Sequence, residues 1–203
     1  MNKNMKIWIG VGIVVVILFF WMKGAYNGMV EKQVAAQKEW SNIDVILKRN
    51  YQDLNSLEKI LKSVKNFNQE TLEEMVRARA RATQTVIDPS NCTPEQMQAW
   101  SNAQGDLERC MQRLMVVATR EADYPELKGN EQYDKVMVRL EGAVNRLAEA
   151  RRIYNDAVEK YQLEIRTFPK NMIAGMFGFT PMQMYVAPAG TEEETTDFSG
   201  LDD

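Results

Sequence analysis

The chain has 203 residues, 45% hydrophobic and 26% charged, which is enough apolar material for a packed core and places it outside the disordered class. With an N-terminal apolar run set aside, roughly 180 residues remain, room for one domain. The formal charge of −3 is local: six of the 28 acids lie in the last dozen residues, and without them and the three lysines flanking the apolar run 22 acids face 22 bases, so no field concentrates nucleic acid or an anionic substrate.

Ile7 to Met22 is an uncharged run of sixteen residues, preceded by Lys3 and Lys6 and followed by Lys23. Sixteen helical residues span only ~24 Å of a ~30 Å hydrocarbon core. Extension to Tyr26 closes the gap, because Gly24 and Ala25 are tolerated, Lys23 can snorkel and a tyrosine suits the interface. Residues 1–25 therefore read as a transmembrane anchor. A cleaved signal peptide would need a small-x-small site, but Trp21, Met22 and Lys23 stand where cleavage would fall. The positive charges on the two sides of the run nearly balance, and the two lysines directly before it weakly favour a bundle outside the cytoplasm.

Residues 26–169 read as a long antiparallel four-helix bundle, making the chain all-α. In helix one, Trp40, Ile43, Leu47, Asn50, Leu54, Leu57, Leu61 and Val64 step by three and four, a coiled-coil seam with one polar interruption. Only Gly24 and Gly28 soften its junction with the anchor. The TLEE run at Thr71 to Glu74 is a capping box that starts helix two, which continues to about Val86. Thr93, Pro94 and Gln96 start helix three, whose stripe is Met97, Trp100, Gln104, Leu107, Met111, Leu114 and Ala118. Tyr124 to Asn130 breaks it. Helix four alternates steps of four and three from Tyr133 to Phe168, through Val144, Arg151, Tyr154 and Tyr161, and Pro169 stops it.

Helix four is ~56 Å long and runs back towards the membrane. The uncharged stretch from Asn171 to Val186, within an apolar Met- and Phe-rich segment 170–187, thus arrives at the headgroups. Two readings compete for it: an interfacial foot on membrane lipid, with Phe177 and Phe179 as anchors beside Tyr26, or a cap over the open end of the bundle. Residues 188–203 read as a disordered acidic tail.

The chemistry is mostly absent. With no histidine, triads built on it, His-ligated zinc or haem, and ExxH di-iron sites are excluded, and no Gly-rich phosphate loop is present, so no cofactor is expected. Cys92 and Cys110 lie ~25 Å apart along an intact helix three, too far for a disulfide, and unpaired thiols favour a reducing compartment. The polar residues set into the apolar stripes are Asn50, Arg79 and Arg151, with Tyr154 and Asn155 beside the last. Asn50 reads first as a register device, and the two arginines as structural ion pairs or side chains snorkelling to the bundle edge. An anion or peptide-carboxylate site in this polar layer is the competing reading.

The chain also resembles the bacterial LemA proteins. The resemblance rests on the YNGMV run at Tyr26 to Val30, Trp40 with Ile43 and Leu47, Ala78 with Arg79, the YPELK run at Tyr124 to Lys128, the ARRIYN run at Ala150 to Asn155 and the FPKNMIAGMFGF run at Phe168 to Phe179. It implies an N-terminal anchor and a helical bundle, and no reaction. The chain departs from the family's pattern at Asn55 and Ser56, at Gln162 after Tyr161, and at Val144, where relatives carry a glutamate; an arginine balanced by that glutamate elsewhere needs another acceptor here. The expectation is a non-catalytic, membrane-tethered scaffold or adaptor of the cell envelope, with a protein partner or a second copy of itself. The alternative is a binding module for a small anion or peptide around Arg79 and Arg151.

Overall fold

The computed structural model describes residues 3–119 and 124–189, with side chains from Ile7 onward, and every regular element in it is helical. Helix α1 (Lys3–Ser63) is continuous through Gly24 and Gly28 and contains a stretch from Ile7 apolar enough to cross a membrane. Its large apolar side chains from Ile7 to Trp21 are all 43% exposed or more, so the described residues leave this end of α1 largely uncovered.

Helix α2 (Gln69–Gln84) starts before the TLEE run. Asn68 is the N-cap, its side chain accepting from the Thr71 N–H at 2.9 Å, and Thr71 itself is buried. Asparagine caps at least as well as threonine, and Phe67 before the cap shares a cluster with Leu72, the placement of a hydrophobic staple. Asn66 turns the chain between α1 and α2 in the left-handed region, which asparagine tolerates. Helix α3 (Pro94–Ala118) has the expected capping box at Thr93 and Gln96, and its whole expected stripe is buried. After a 3-10 turn at Pro125–Leu127, Asn130 caps helix α4 (Glu131–Arg166), and the Tyr133 hydroxyl donates to the Ala118 carbonyl at 3.0 Å. Phe168, the last member of the predicted stripe, lies beyond the end of α4 and is 75% exposed. Helix α5 (Lys170–Phe177) ends at Gly178, whose positive φ closes it.

Two core clusters draw on all four long helices. One joins Leu54 to Val64 of α1 with Tyr133 to Leu140 of α4, and with the buried faces of α2 and the later part of α3. The other joins Ala25 to Leu47 of α1 with Leu147 to Ile165 of α4, and adds Met97, Trp100, Ile173 and Met182. Early residues of α1 therefore meet late residues of α4. Interhelical ion pairs link the helices in a ring: Glu58–Arg79 from α1 to α2, Glu74–Arg113 from α2 to α3, Glu108–Arg151 from α3 to α4, and Arg139–Asp53 from α4 to α1.

Candidate functional site

Arg151 is the more buried of the two candidate arginines. It reaches from α4 to Glu108 of α3 at 2.6 Å, with its side chain 10% and that of Glu108 24% exposed. Its guanidinium lies over the Tyr185 ring, 4.5 Å from the centroid, a geometry in which the ring quadrupole favours the cation. Next to it the Tyr51 hydroxyl donates to Gln104 Oε1 at 2.9 Å, and Gln104 Nε2 donates to the Ala82 carbonyl at 3.2 Å. These bonds satisfy a buried amide that would otherwise be costly. Arg79 belongs to another level of the structure. Its partner is Glu58 at 2.8 Å, and Glu58 follows Tyr51 by seven helical residues, ~10 Å of axis. Among the described residues no hydrogen bond or ion pair joins Asn50 or Arg79 to Arg151. Asn50 is half-buried on α1. The single polar layer expected around both arginines is thus two separate interhelical ion pairs, and the acceptors they find are Glu58 and Glu108.

Tyr154 and Asn155 serve the segment after α5. The Asn155 side chain donates to the Tyr185 carbonyl at 3.0 Å and accepts from the Tyr185 N–H at 2.8 Å, mimicking a neighbouring β-strand. The Tyr154 hydroxyl donates to the Gln183 carbonyl at 2.5 Å, Tyr161 to Thr180 at 2.9 Å and Gln162 to Met182 at 2.7 Å. From α3, Ser101 donates to Val186 at 2.5 Å and Gln98 to Ala187 at 3.1 Å. Six carbonyls of an extended strap, residues 180–189, therefore accept from side chains of α3 and α4, as a backbone with no ladder of its own requires. Two further bonds run from the Gln183 N–H to the Pro89 carbonyl and from the Ala189 N–H to Asn102 Oδ1, both at 2.9 Å.

The strap ends on Gly105. A Cβ there would lie 2.5 Å from Pro188 Cγ, so only glycine lets the buried proline ring this close to α3. Pro188 and Ala189, expected in the tail, belong to the strap; residues 190–203, the rest of the tail, lie outside the described residues. The expected foot at 171–186 is likewise divided. Its first part, α5 with Phe179, lies against the anchor end of α1, and its second part covers α3 and α4, with Met182 buried. The candidate interface residues do come together: Tyr26 meets the ring of Phe177 at 5.0 Å and that of Phe179 at 5.5 Å between centroids.

Burial holds the hydroxyl of Tyr154 well above the ordinary tyrosine range and pushes those of Tyr51, Tyr161 and Tyr185 upward, so all four stay protonated. Both cysteines are free and half-buried, and burial raises their thiols, which weakens them as nucleophiles at neutral pH. Among the described residues no group of three or more Cys, Asp or Glu is arranged to hold a metal ion. A cleft of about 250 Å³ lies between α1 and the end of α2, lined by Trp40, Leu47, Tyr51, Val86 and Trp100, below the ~300 Å³ at which small-molecule sites begin. The two charges at its edge, Asp44 and Lys48, pair with each other at 2.6 Å.

The family model for LemA proteins matches residues 39–198. The chain belongs to the LemA family. The match leaves out the anchor and the YNGMV run, and it extends past Phe179 to include the strap. None of the curated proteins matches the chain. Within this LemA-family fold, sequence reasoning missed Tyr51, Ser101, Glu108 and Tyr185, and the part Gln162 plays. A signal was there: Ser101, Gln104, Gly105 and Glu108 recur at spacings of three and four along one edge of α3, a polar edge with a glycine in it beside an otherwise apolar stripe.

Proposed function

We propose that this LemA-family protein is a non-catalytic scaffold or adaptor, tethered to the bacterial inner membrane by the first part of α1, which presents an antiparallel four-helix bundle to another envelope protein or to a second copy of itself. The observation that carries the reading is how the buried polar groups are used. Arg79 and Arg151 hold carboxylates of neighbouring helices, and Tyr154 and Asn155 hold the chain's own strap. The ring of ion pairs from α1 to α4 supports the bundle, and the exposed apolar run from Ile7 to Trp21 supports the tether.

One observation favours the alternative in its peptide form. The face formed by α3 and α4 satisfies an extended backbone, as a peptide groove would, but the occupant is residues 180–189 of the same chain, which an incoming peptide would have to displace. Photo-crosslinkers placed at the exposed Val45 and Val138 of the full chain in membranes separate the two. An adaptor gives a discrete adduct from a bundle face, and Arg151→Met leaves that adduct in place once the protein is folded. The adaptor reading is overturned if neither position yields an adduct while the purified protein binds a free peptide that Arg151→Met abolishes. Thiol labelling of intact cells at a single cysteine replacing Ser199, after both native cysteines are changed to serine, assigns the side of the membrane; the two lysines before the anchor favour the extracytoplasmic side.

A further inference from the structure

Helix α5 has two unlike faces. Ile173 and Ala174 are buried at 4% and 3% exposure in the cluster that contains Ala25 and Met29 of α1. On the other side Met172 and Met176, spaced by four, are 65% and 72% exposed, and Phe168 in the turn before α5 is 75% exposed. Between α5 and α1 runs an open groove of about 570 Å³, with Val15, Leu18 and Met22 on one wall and Met172 and Met176 on the other. Its lining is almost entirely carbon, where a groove meant for water or a polar ligand would offer hydrogen-bonding groups.

The depth of this groove follows from the anchor. A span that begins at Ile7 and needs ~20 residues ends near Tyr26, so Val15 to Met22 lie ~6–16 Å inside the hydrocarbon edge on the bundle side. Side chains that share a groove with them lie at that depth too. Charge permits it: between Lys170 and Val186 the chain has no ionisable group but Tyr185, and the Lys170 ammonium is paired with the Glu164 carboxylate. Tyr26, packed against Phe177 and Phe179, sits where an aromatic belt belongs, at the hydrocarbon edge.

We infer that α5 is a second membrane element: a short re-entrant helix whose Met172 and Met176 face is immersed in lipid acyl chains of the leaflet that holds Val15 to Met22. The occupant of the groove is lipid, because the same bilayer that solvates the anchor fills it with no further partner. The inference rests on the tethering reading above and refines the foot expected from sequence. Lipid contact moves from Phe179, which is half-buried on Tyr26, to the outward Met172 and Met176.

The test uses the full chain with Cys92→Ser and Cys110→Ser, carrying one nitroxide-labelled cysteine at Met172, Met176, Leu18 or Val138, in vesicles of phosphatidylcholine and phosphatidylglycerol. Collision of the label with oxygen, which concentrates in hydrocarbon, is compared with collision with a water-soluble nickel chelate. Positions 172 and 176 are expected to match the anchor control at 18, with an oxygen-to-nickel ratio at least several-fold above that at Val138. If 18 reads as lipid but 172 and 176 favour nickel, α5 lies in water and the inference is wrong while the tether stands. If 172 and 176 exclude both reagents, protein covers the face and lipid is not the occupant. If 18 itself favours nickel, the tethering reading fails and takes this one with it.

Discussion

Replacing Arg151 with methionine keeps an unbranched apolar stem and removes the charged head. The pair it makes with Glu108 is buried on the arginine side and partly exposed on the other, with 10% and 24% of the two side chains exposed. Removing one partner of a buried pair costs ~3–5 kcal/mol, most of it from the carboxylate left without a counter-charge. Glu108 keeps about a quarter of its exposure, so water recovers part of the loss and the lower end applies, about 3 kcal/mol. For a domain of this size each kcal/mol moves the melting temperature by roughly 2–4 °C, giving a fall of about 6–12 °C. Helical circular dichroism of the full chain in detergent micelles, followed on heating at neutral pH, measures it. Adding Glu108→Leu removes the stranded carboxylate and should restore most of the lost stability, as replacing buried pairs with apolar residues often does. A single variant that melts within ~1 °C of the parent, or a double variant no better than the single, would refute the argument that this pair is structural and buried.

Gly105→Ala has a diagnostic sign. In an ordinary helix the change gains up to ~1 kcal/mol, but here the new Cβ meets the Pro188 ring, so stability is expected to fall by about 1–3 kcal/mol and limited proteolysis within 180–189 to quicken several-fold; Pro188→Ala in the same chain should relieve both. Glu58 gives a pH signature: burial works to raise its carboxyl, but bonds from Lys62 and Arg79 outweigh this and hold it below the usual range. Its folded value lies under its unfolded value, so its contribution is complete above the ordinary carboxylate pKa of ~4.3 and is lost as pH falls through the lower folded value; Glu58→Gln should cost about 2 kcal/mol at neutral pH and flatten the acid limb of the stability curve, read by denaturant titration at several pH values.

Much of this fold was legible because helical periodicity reports burial directly. The stripe of α3 is buried at every expected position, and that of α4 everywhere except Val144, which is half-buried, and Phe168. The start of α2 was misread because Asn68 and Thr71 both carry N-cap chemistry three residues apart, and the choice between them was made by tertiary packing of Phe67 and Thr71. The strap could not be read at all. It has no periodicity, and its partners are single polar side chains contributed by two helices up to 89 residues away. Of those side chains, Gln98, Ser101 and Gln162 each pass for a solvated position when taken alone, and Tyr154 and Tyr161 for ordinary members of the stripe. Arg79 and Arg151 were found by their place in apolar stripes, but that place carries no information on which acid answers them. Glu58 and Glu108 lie at the edges of their stripes, where a glutamate is the ordinary residue.

The continuity of α1 bears on what such a molecule can do. A helix of 61 residues is ~92 Å long, and only its first third is needed for the proposed membrane span. Glycines at 24 and 28 could have formed a hinge, but the helix runs through both. The tilt of the anchor is thus passed directly to the bundle. In the proposed arrangement, with α5 in the same leaflet, the bundle would have two attachments to the bilayer on different helices, fixing its direction as well as its height. A pocket for a small ligand works equally well at any orientation and gains nothing from this arrangement. A protein surface that must meet another membrane-bound surface gains a great deal, because holding the two in register removes rotational freedom that binding would otherwise have to overcome.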